Sequence, residues 1–366
     1  MTQIDELAGW GPRGTAGVSF ASTLTFDNVE VKLGGRVVLD RFSLTLAPGE
    51  IVCLLGESGS GKSTVLRVAA GIQRIDAGTV RINDEIVSGP GVHVAPDKRG
   101  IGLMFQDFAL FPHLTLLENV SFGLKRLGRA AALAQARAAL SRVGLCDRGD
   151  DYPHRLSGGQ QQRLALARSI APRPGILMLD EPFSSLDARL RESVRGETLA
   201  LLRETHATTI IVTHDPEEAM VLGDRIALLR QGRIAQVDAA ARIYESPIDL
   251  SAARFLSPLS EIEATVRGGL AATPLGSVPA PGRAEGDRVI VAIRPVGVID
   301  MSRAHDGIPG RIVSKRGAVG FDLCEVLVEG IEKPISIRQR SDKQFVAGCD
   351  VFLTLNPEHV LVFAKD

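Results

Sequence analysis

The run from Ile51 to Gly56, IVCLLG, is continuously apolar and leads directly into GESGSGKS, Gly56 to Ser63. An apolar run of this length reads as a strand buried on both faces. The loop after it matches Gly-x-x-x-x-Gly-Lys-Ser. Its glycines let consecutive backbone N–H groups converge on phosphate, its lysine serves the outer phosphates and its hydroxyl serves a metal ion. About 120 residues later a second apolar run, ILMLDE from Ile176 to Glu181, ends in two acids. A crossover between parallel strands needs only a dozen or so residues, so most of that interval must build something else. Its pattern is helical, notably at Arg129 to Val143 and at Gly158 to Ile170 before Pro172, which predicts an inserted helical subdomain over about 107–172.

The rest of the chain alternates in the same way. LTFDNVEVKL, VVLDRFSLTL, TVRIND and IGLMFQ read as strands, and STVLRVAAGI as the helix after the phosphate loop. After ILMLDEP come an amphipathic helix from Leu186 to His206, the strand TTIIVTH, a helix from Pro216 to Leu222 and RIALLRQGRIAQ, read as one strand. The pattern predicts an α/β fold with a mostly parallel sheet covered on both faces. Residues 1–21, rich in Gly, Thr and Ser and carrying Trp10, read as a flexible tail. Near Ser257-Pro258 the texture changes. Short runs such as IEATV, VIVAIRP, GRIVSKR, LCEVLV, ISIRQR, VFLTL and HVLVF predict a small β barrel or sandwich over 258–366.

Asp180 and Glu181 end a strand in the same crevice as the phosphate loop. There Asp180 is placed to hold Mg²⁺ through water and Glu181 to polarise an attacking water as general base. Lys62 should reach the β- and γ-phosphates, Ser63 should ligate Mg²⁺, and Thr64 should touch the α-phosphate side. Gln106, in MFQDF, suits a metal ion or an attacking water, although a glutamine after a strand is more often a solvated turn residue. His214, closing TTIIVTH, could donate to a γ-phosphate or serve structure alone. Ser157, Gly158, Gly159 and Gln160 open a helix, whose first N–H groups lack partners and form a second anion site.

The phosphate loop, LSGGQQQR at Leu156 to Arg163 and ILMLDE together resemble the nucleotide-binding subunit of an ATP-binding-cassette (ABC) transporter. The likeness runs from Leu24 to about Leu256. It implies a P-loop NTPase (RecA-like) cassette over 22–257 that binds ATP and Mg²⁺, with Gly56, Glu57, Ser58, Gly59, Ser60, Gly61, Lys62, Ser63 and Thr64 around the phosphates. Gln106 then joins Ser63 and Asp180 at the metal, and Gln106 and His214 join Glu181 in catalysis. The resemblance also implies a head-to-tail homodimer in which Ser157 to Gln160 of one copy complete the site of the other, and SSLD at Ser184 to Asp187 resembles the loop crossing that interface. Where most relatives stack an aromatic residue on adenine, this chain offers Leu33.

MFQDFALFPHLTLLENVSFGL is similar to the corresponding segment of importers served by a periplasmic binding protein. Phe108 and Phe111 are candidates for the groove that receives a permease, with buried packing as the equal alternative. The β-rich end, with Ile293-Arg294-Pro295, resembles the oligonucleotide/oligosaccharide-fold accessory (TOBE) domain of polyamine, sulfate, sugar and ferric-iron importers. Ferric-iron importers fit best, through GPGVHVAPDKRGIGLMFQ and ESPIDLSAARFLSPLSEIEATV.

Composition bounds the alternatives. Forty-two basic residues against 43 acidic give a net charge of -1, so no general field draws the protein to nucleic acid or anionic lipid. A cassette ATPase acting on DNA would need a basic surface, and a P-loop kinase has no use for LSGGQQQR. The four cysteines lack metal-binding or disulfide spacing, and no run approaches the ~20 apolar residues of a membrane span. The expectation is a cytoplasmic subunit that meets the inner face of the cell membrane through separate permease chains.

Overall fold

The computed structural model describes residues 16–184, 186–302, 307–318, 320–341 and 345–365. Contacts divide the chain between Ile243 and Tyr244. In the first unit the elements are β1 Leu24–Leu33, β2 Arg36–Leu46, β3 Ile51–Leu55, α1 Lys62–Ala69, β4 Ala77–Ile82, β5 Glu85–Gly89, β6 Val92–His93 and β7 Ile101–Met104. Helices α2 Leu116–Ser121, α3 Arg129–Arg142 and α4 Gly158–Ile170 follow, then β8 Ile176–Asp180, α5 Ala188–Thr205, β9 Thr208–Thr213, α6 Pro216–Leu222, β10 Arg225–Arg230 and β11 Arg233–Ala239.

Two sheets share this unit's core. The six-stranded sheet runs β11-β10-β3-β9-β8-β7 and is parallel except for β11. Every residue of β3, β8 and β9 is buried, as parallel strands covered on both faces require. The second sheet, β2-β1-β4-β5-β6, is antiparallel. Its strands alternate buried and exposed residues, and Phe26 and Phe42 meet edge to face at 5.1 Å beneath it. Helices α2, α3 and α4 pack on one another between β7 and β8 in chain order.

Two expectations change. RIALLRQGRIAQ is not one strand but the hairpin β10–β11, because Gln231 and Gly232 both take left-handed backbone, with φ of 50° and 77°. That is the geometry a two-residue hairpin turn demands. The turn braces the phosphate loop: Gly232 N donates to Ser60 O at 3.0 Å, and Asp40 N donates to Gly232 O at 3.0 Å. The expected tail is described from Ala16 onward, and there it is tied down. Ser19 N donates to Thr205 O, Ser22 N to Gly175 O and Ala16 N to a Glu204 carboxylate oxygen. Residues 1–15, with Trp10, lie outside the described residues.

Arg99 anchors the helix of the phosphate loop. It is 4% exposed, and its guanidinium donates to Val68 O and Ala69 O at the end of α1, to Val94 O, to Val87 O and to Ser88 Oγ. Burial brings its pKa down to about 10. An Arg99→Met chain keeps the apolar stem and orphans those buried acceptors, each worth ~1 kcal/mol or more. We expect a loss of about 3 kcal/mol of stability, read as an earlier denaturation midpoint; an unchanged midpoint would remove the anchor.

The second unit opens with the end of α7 (Ala240–Glu245) and with α8 (Leu250–Leu256). These helical residues join the β unit because Arg294 donates to Tyr244 O and stacks on its ring, while Arg254 pairs with Glu261 at 2.6 Å. Strands β12 Ser260–Arg267, β13 Leu270–Thr273, β14 Gly276–Pro279, β15 Arg288–Ile293, β16 Val298–Ser302, β17 Ile308–Ala318, β18 Phe321–Val328, β19 Ile335–Arg340, β20 Asp350–Leu355 and β21 Val360–Ala364 follow. They form two five-stranded antiparallel sheets, β14-β13-β12-β15-β21 and β16-β20-β17-β18-β19, around one apolar core.

Candidate functional site

Four adjacent parallel strands, β3, β9, β8 and β7, point their carboxyl ends the same way. The phosphate loop follows β3, Asp180 and Glu181 end β8, His214 follows β9 and Gln106 follows β7. Parallel topology alone therefore brings together segments far apart in sequence. A cleft of about 560 Å³ opens there, lined by Val38, Ser58, Gly59, Gly61, Lys62, Ser63, Thr64, Gln106, Glu181 and His214.

Backbone conformation or close approach restricts three glycines of this loop. Gly61 has φ 107°, in left-handed backbone, and Gly59 has φ 80°. A Cβ on Gly56 would sit 2.3 Å from Leu229 O and 2.9 Å from Ser60 Oγ. We expect Gly56→Ala to displace the loop and weaken ATP binding about tenfold, the equivalent of ~1.4 kcal/mol. A fluorescent-nucleotide titration checks this, and unchanged affinity would show that the loop yields freely.

Lys62 is 6% exposed, and its ammonium donates to Gly56 O and Glu57 O, both at 2.8 Å. Burial lowers its pKa, opposed by the charges of Glu181 and Asp180. Ser60 Oγ is buried without a hydrogen-bond partner, and Ser60 does not line the cleft. Ser63 Oγ donates to Asp180 Oδ1 at 3.2 Å. Burial raises the Asp180 carboxyl pKa, and the Ser63 hydrogen bond opposes that. A hydroxyl and a carboxylate side by side next to a phosphate cradle suit a hard, oxygen-seeking ion such as Mg²⁺, which takes one or two carboxylates and fills its shell with phosphate and water.

Glu181 stands in left-handed backbone at φ 44°, a conformation that costs a non-glycine residue energy. Gln106 Nε2 donates to its Oε2 at 3.4 Å, and His214 Nδ1 lies 3.2 Å from the same oxygen. Gln106, Glu181 and His214 thus form one cluster above Lys62. Ser184 Oγ donates back to Glu181 O at 3.0 Å rather than capping α5, which begins at Ala188; Ser185 lies outside the described residues.

Ser157, Gly158, Gly159 and Gln160 do not line the cleft. They open α4 with a reciprocal capping box: Gln160 N donates to Ser157 Oγ, and Ser157 N donates to Gln160 Oε1 at 3.1 Å. Ser157 and Gly158 are exposed. Leu33 ends β1 at 40% exposure, and Val38 on β2 lines the cleft instead. Phe108 is buried, whereas Phe111 packs on the exposed ring of Phe122 at 4.5 Å.

Sequence reading missed Arg67. It lines an adjoining cleft with Ser63, Phe105, Gln106, Asp107, Asp180 and Ser184. Its place four residues after Ser63, one helical turn along the same face, is a signal that could have found it.

A family model described as ABC transporter matches residues 39–184. The Fe(3+) ions import ATP-binding protein FbpC of Streptomyces coelicolor is 45% identical over 76% of this chain and 79% of its own length. The chain belongs to the ABC transporter family, as an ATP-binding subunit. Other family members with high identity are the sulfate/thiosulfate import ATP-binding protein CysA 2 of Chromobacterium violaceum, 42% over 73% of each chain, and the spermidine/putrescine import ATP-binding protein PotA of Pseudomonas aeruginosa, 39% over 78% of this chain and 74% of that one. Among solved structures, the dimeric post-hydrolysis ABC cassette MJ0796 bound to ADP and Pi matches with a TM-score of 0.53 and 31% identity, over 59% of this chain and 98% of that one. Among the described residues no helix is long and apolar enough to cross a membrane.

Proposed function

We propose that two copies of this chain close head to tail on two ATP molecules, hydrolyse them and reopen, driving a separate permease at the inner face of a bacterial membrane. The observation that carries the reading is the meeting of the phosphate loop with Gln106, Glu181 and His214 at one end of the parallel sheet. Lys62 exchanges its two loop carbonyls for the outer phosphates, while the loop N–H groups close around them. Ser63, Asp180 and Gln106 would hold Mg²⁺, which neutralises phosphate charge when bound. Glu181 takes the proton of the attacking water, Gln106 orients that water, and His214 donates to a γ-phosphate oxygen.

Ser157, Gly158, Gly159 and Gln160 of the second copy complete each site. The exposed start of α4, and the likeness to a dimeric cassette, support this pairing. Phosphate release by the purified chain tests the chemistry: it should require Mg²⁺ and stop with a chelator, and no release under any condition would leave only a binding module.

Ferric iron delivered by a periplasmic binding protein is the solute we favour, on the 45% identity to the Streptomyces coelicolor protein. In a reconstituted complex, ferric-loaded binding protein should stimulate hydrolysis. Stimulation by sulfate or spermidine instead would reassign the solute to the chemistry of the other relatives.

A further inference from the structure

The loop after Gln106 is pinned by the helix that carries Ser157. Phe108 and Ala109 both stand in left-handed backbone, with φ of 62° and 45°. Two such non-glycine residues in succession persist only where their surroundings hold them. What holds them is Arg168, whose guanidinium donates from NH2 to Phe108 O at 2.7 Å and from NH1 to Ala109 O at 2.6 Å. These are short, charge-assisted bonds, and the planar fork spans both carbonyls at once. The same guanidinium carbon lies 5.5 Å from the centre of the Phe111 ring.

Arg168 belongs to α4, whose N-cap is Ser157. Eleven residues of helix separate the two, roughly 16 Å at 1.5 Å per residue. Between them α4 is an unbroken helix buried on most sides, at Gln162, Leu164, Ala165, Leu166 and Ala167 among others, which makes it one continuous packed element. Gln106 is two residues before Phe108, and its amide reaches the Glu181 carboxylate at 3.4 Å.

We propose that Arg168 is a positioning residue that makes the placement of Gln106 follow the helix bearing Ser157. When a partner's nucleotide captures the start of α4, Arg168 carries that displacement to the Phe108 and Ala109 carbonyls and from there to Gln106. Hydrolysis is thereby tied to completion of the second phosphate surface. The inference rests on the role given above to Gln106 beside the reacting water.

The test uses the full chain with Arg168→Met, Arg168→Lys, Gln106→Ala and the double variant Gln106→Ala/Arg168→Met, each checked by thermal melting. Arg168→Met should lower kcat about tenfold with KM for ATP within about twofold, and Arg168→Lys, able to hold one carbonyl, should recover part of the loss. Because Arg168 acts through Gln106, the double variant should turn over no more slowly than the worse single variant. Wild-type kcat in both Arg168 variants, or losses that multiply in the double variant, overturns the proposal. If Arg168→Met does not fold, the Lys variant and its pairing with Gln106→Ala carry the same comparison. Normal turnover in Gln106→Ala alone would instead overturn the role given to Gln106, and this inference with it.

Discussion

In Glu181→Gln, ATP turnover falls by ~10²-fold or more while ATP binding and pairing of the two copies persist. The substitution keeps the shape of the side chain and removes the carboxylate on which Gln106 and His214 converge. The phosphate loop does not depend on that carboxylate: Lys62 is held by Gly56 and Glu57 carbonyls, and Ser63 by Asp180. An amide cannot take a proton from water, so the reactant state survives and its decay does not. Single-turnover phosphate release, with a parallel ATP titration, measures both. Near-normal release would move the general base elsewhere.

Ser157→Arg removes hydrolysis, on the order of 10²-fold or more, and leaves ATP affinity within about twofold. Within its own subunit Ser157 only caps α4, a contribution of ~1 kcal/mol, so the variant should fold. The neighbouring Gly158 supports an external role for this tip. It is exposed, and a Cβ added there meets nothing within 4 Å, so the lone subunit has no need of glycine at that place. A bulky cation at Ser157 would block a phosphate approaching from a second copy without touching Lys62. Retained hydrolysis in Ser157→Arg would mean that each subunit completes its own site.

The phosphate loop and ILMLDE were legible because their chemistry is local, a few residues whose spacing is the mechanism. Helices α4 and α6 were legible from a capping serine before Gly158 and from Pro216 at a helix start. The hairpin at Gln231-Gly232 was not, because the flanking RIALLR and RIAQ share one apolar character and only the backbone dihedrals reveal the reversal. Strands β13, β14 and β16 are short and lack the apolar weight that marked β15 or β20. The separate antiparallel sheet was hidden as well, since nothing local says which strands will pair. The bonds of Arg99 to Ala69 and of Arg168 to Phe108 span 30 and 60 positions, so no short window of sequence contains both ends. Meeting points of this kind come from topology, as the convergence of Gln106, Glu181 and His214 also does.

The most direct test of the account is the structure of Glu181→Gln trapped with ATP and Mg²⁺. It should show two copies with Ser157 Oγ and the first N–H groups of α4 from one subunit within hydrogen-bonding distance of the γ-phosphate on the other subunit's Lys62. ATP on Lys62 with no part of any partner's α4 near it would contradict the composite site and the motor built on it.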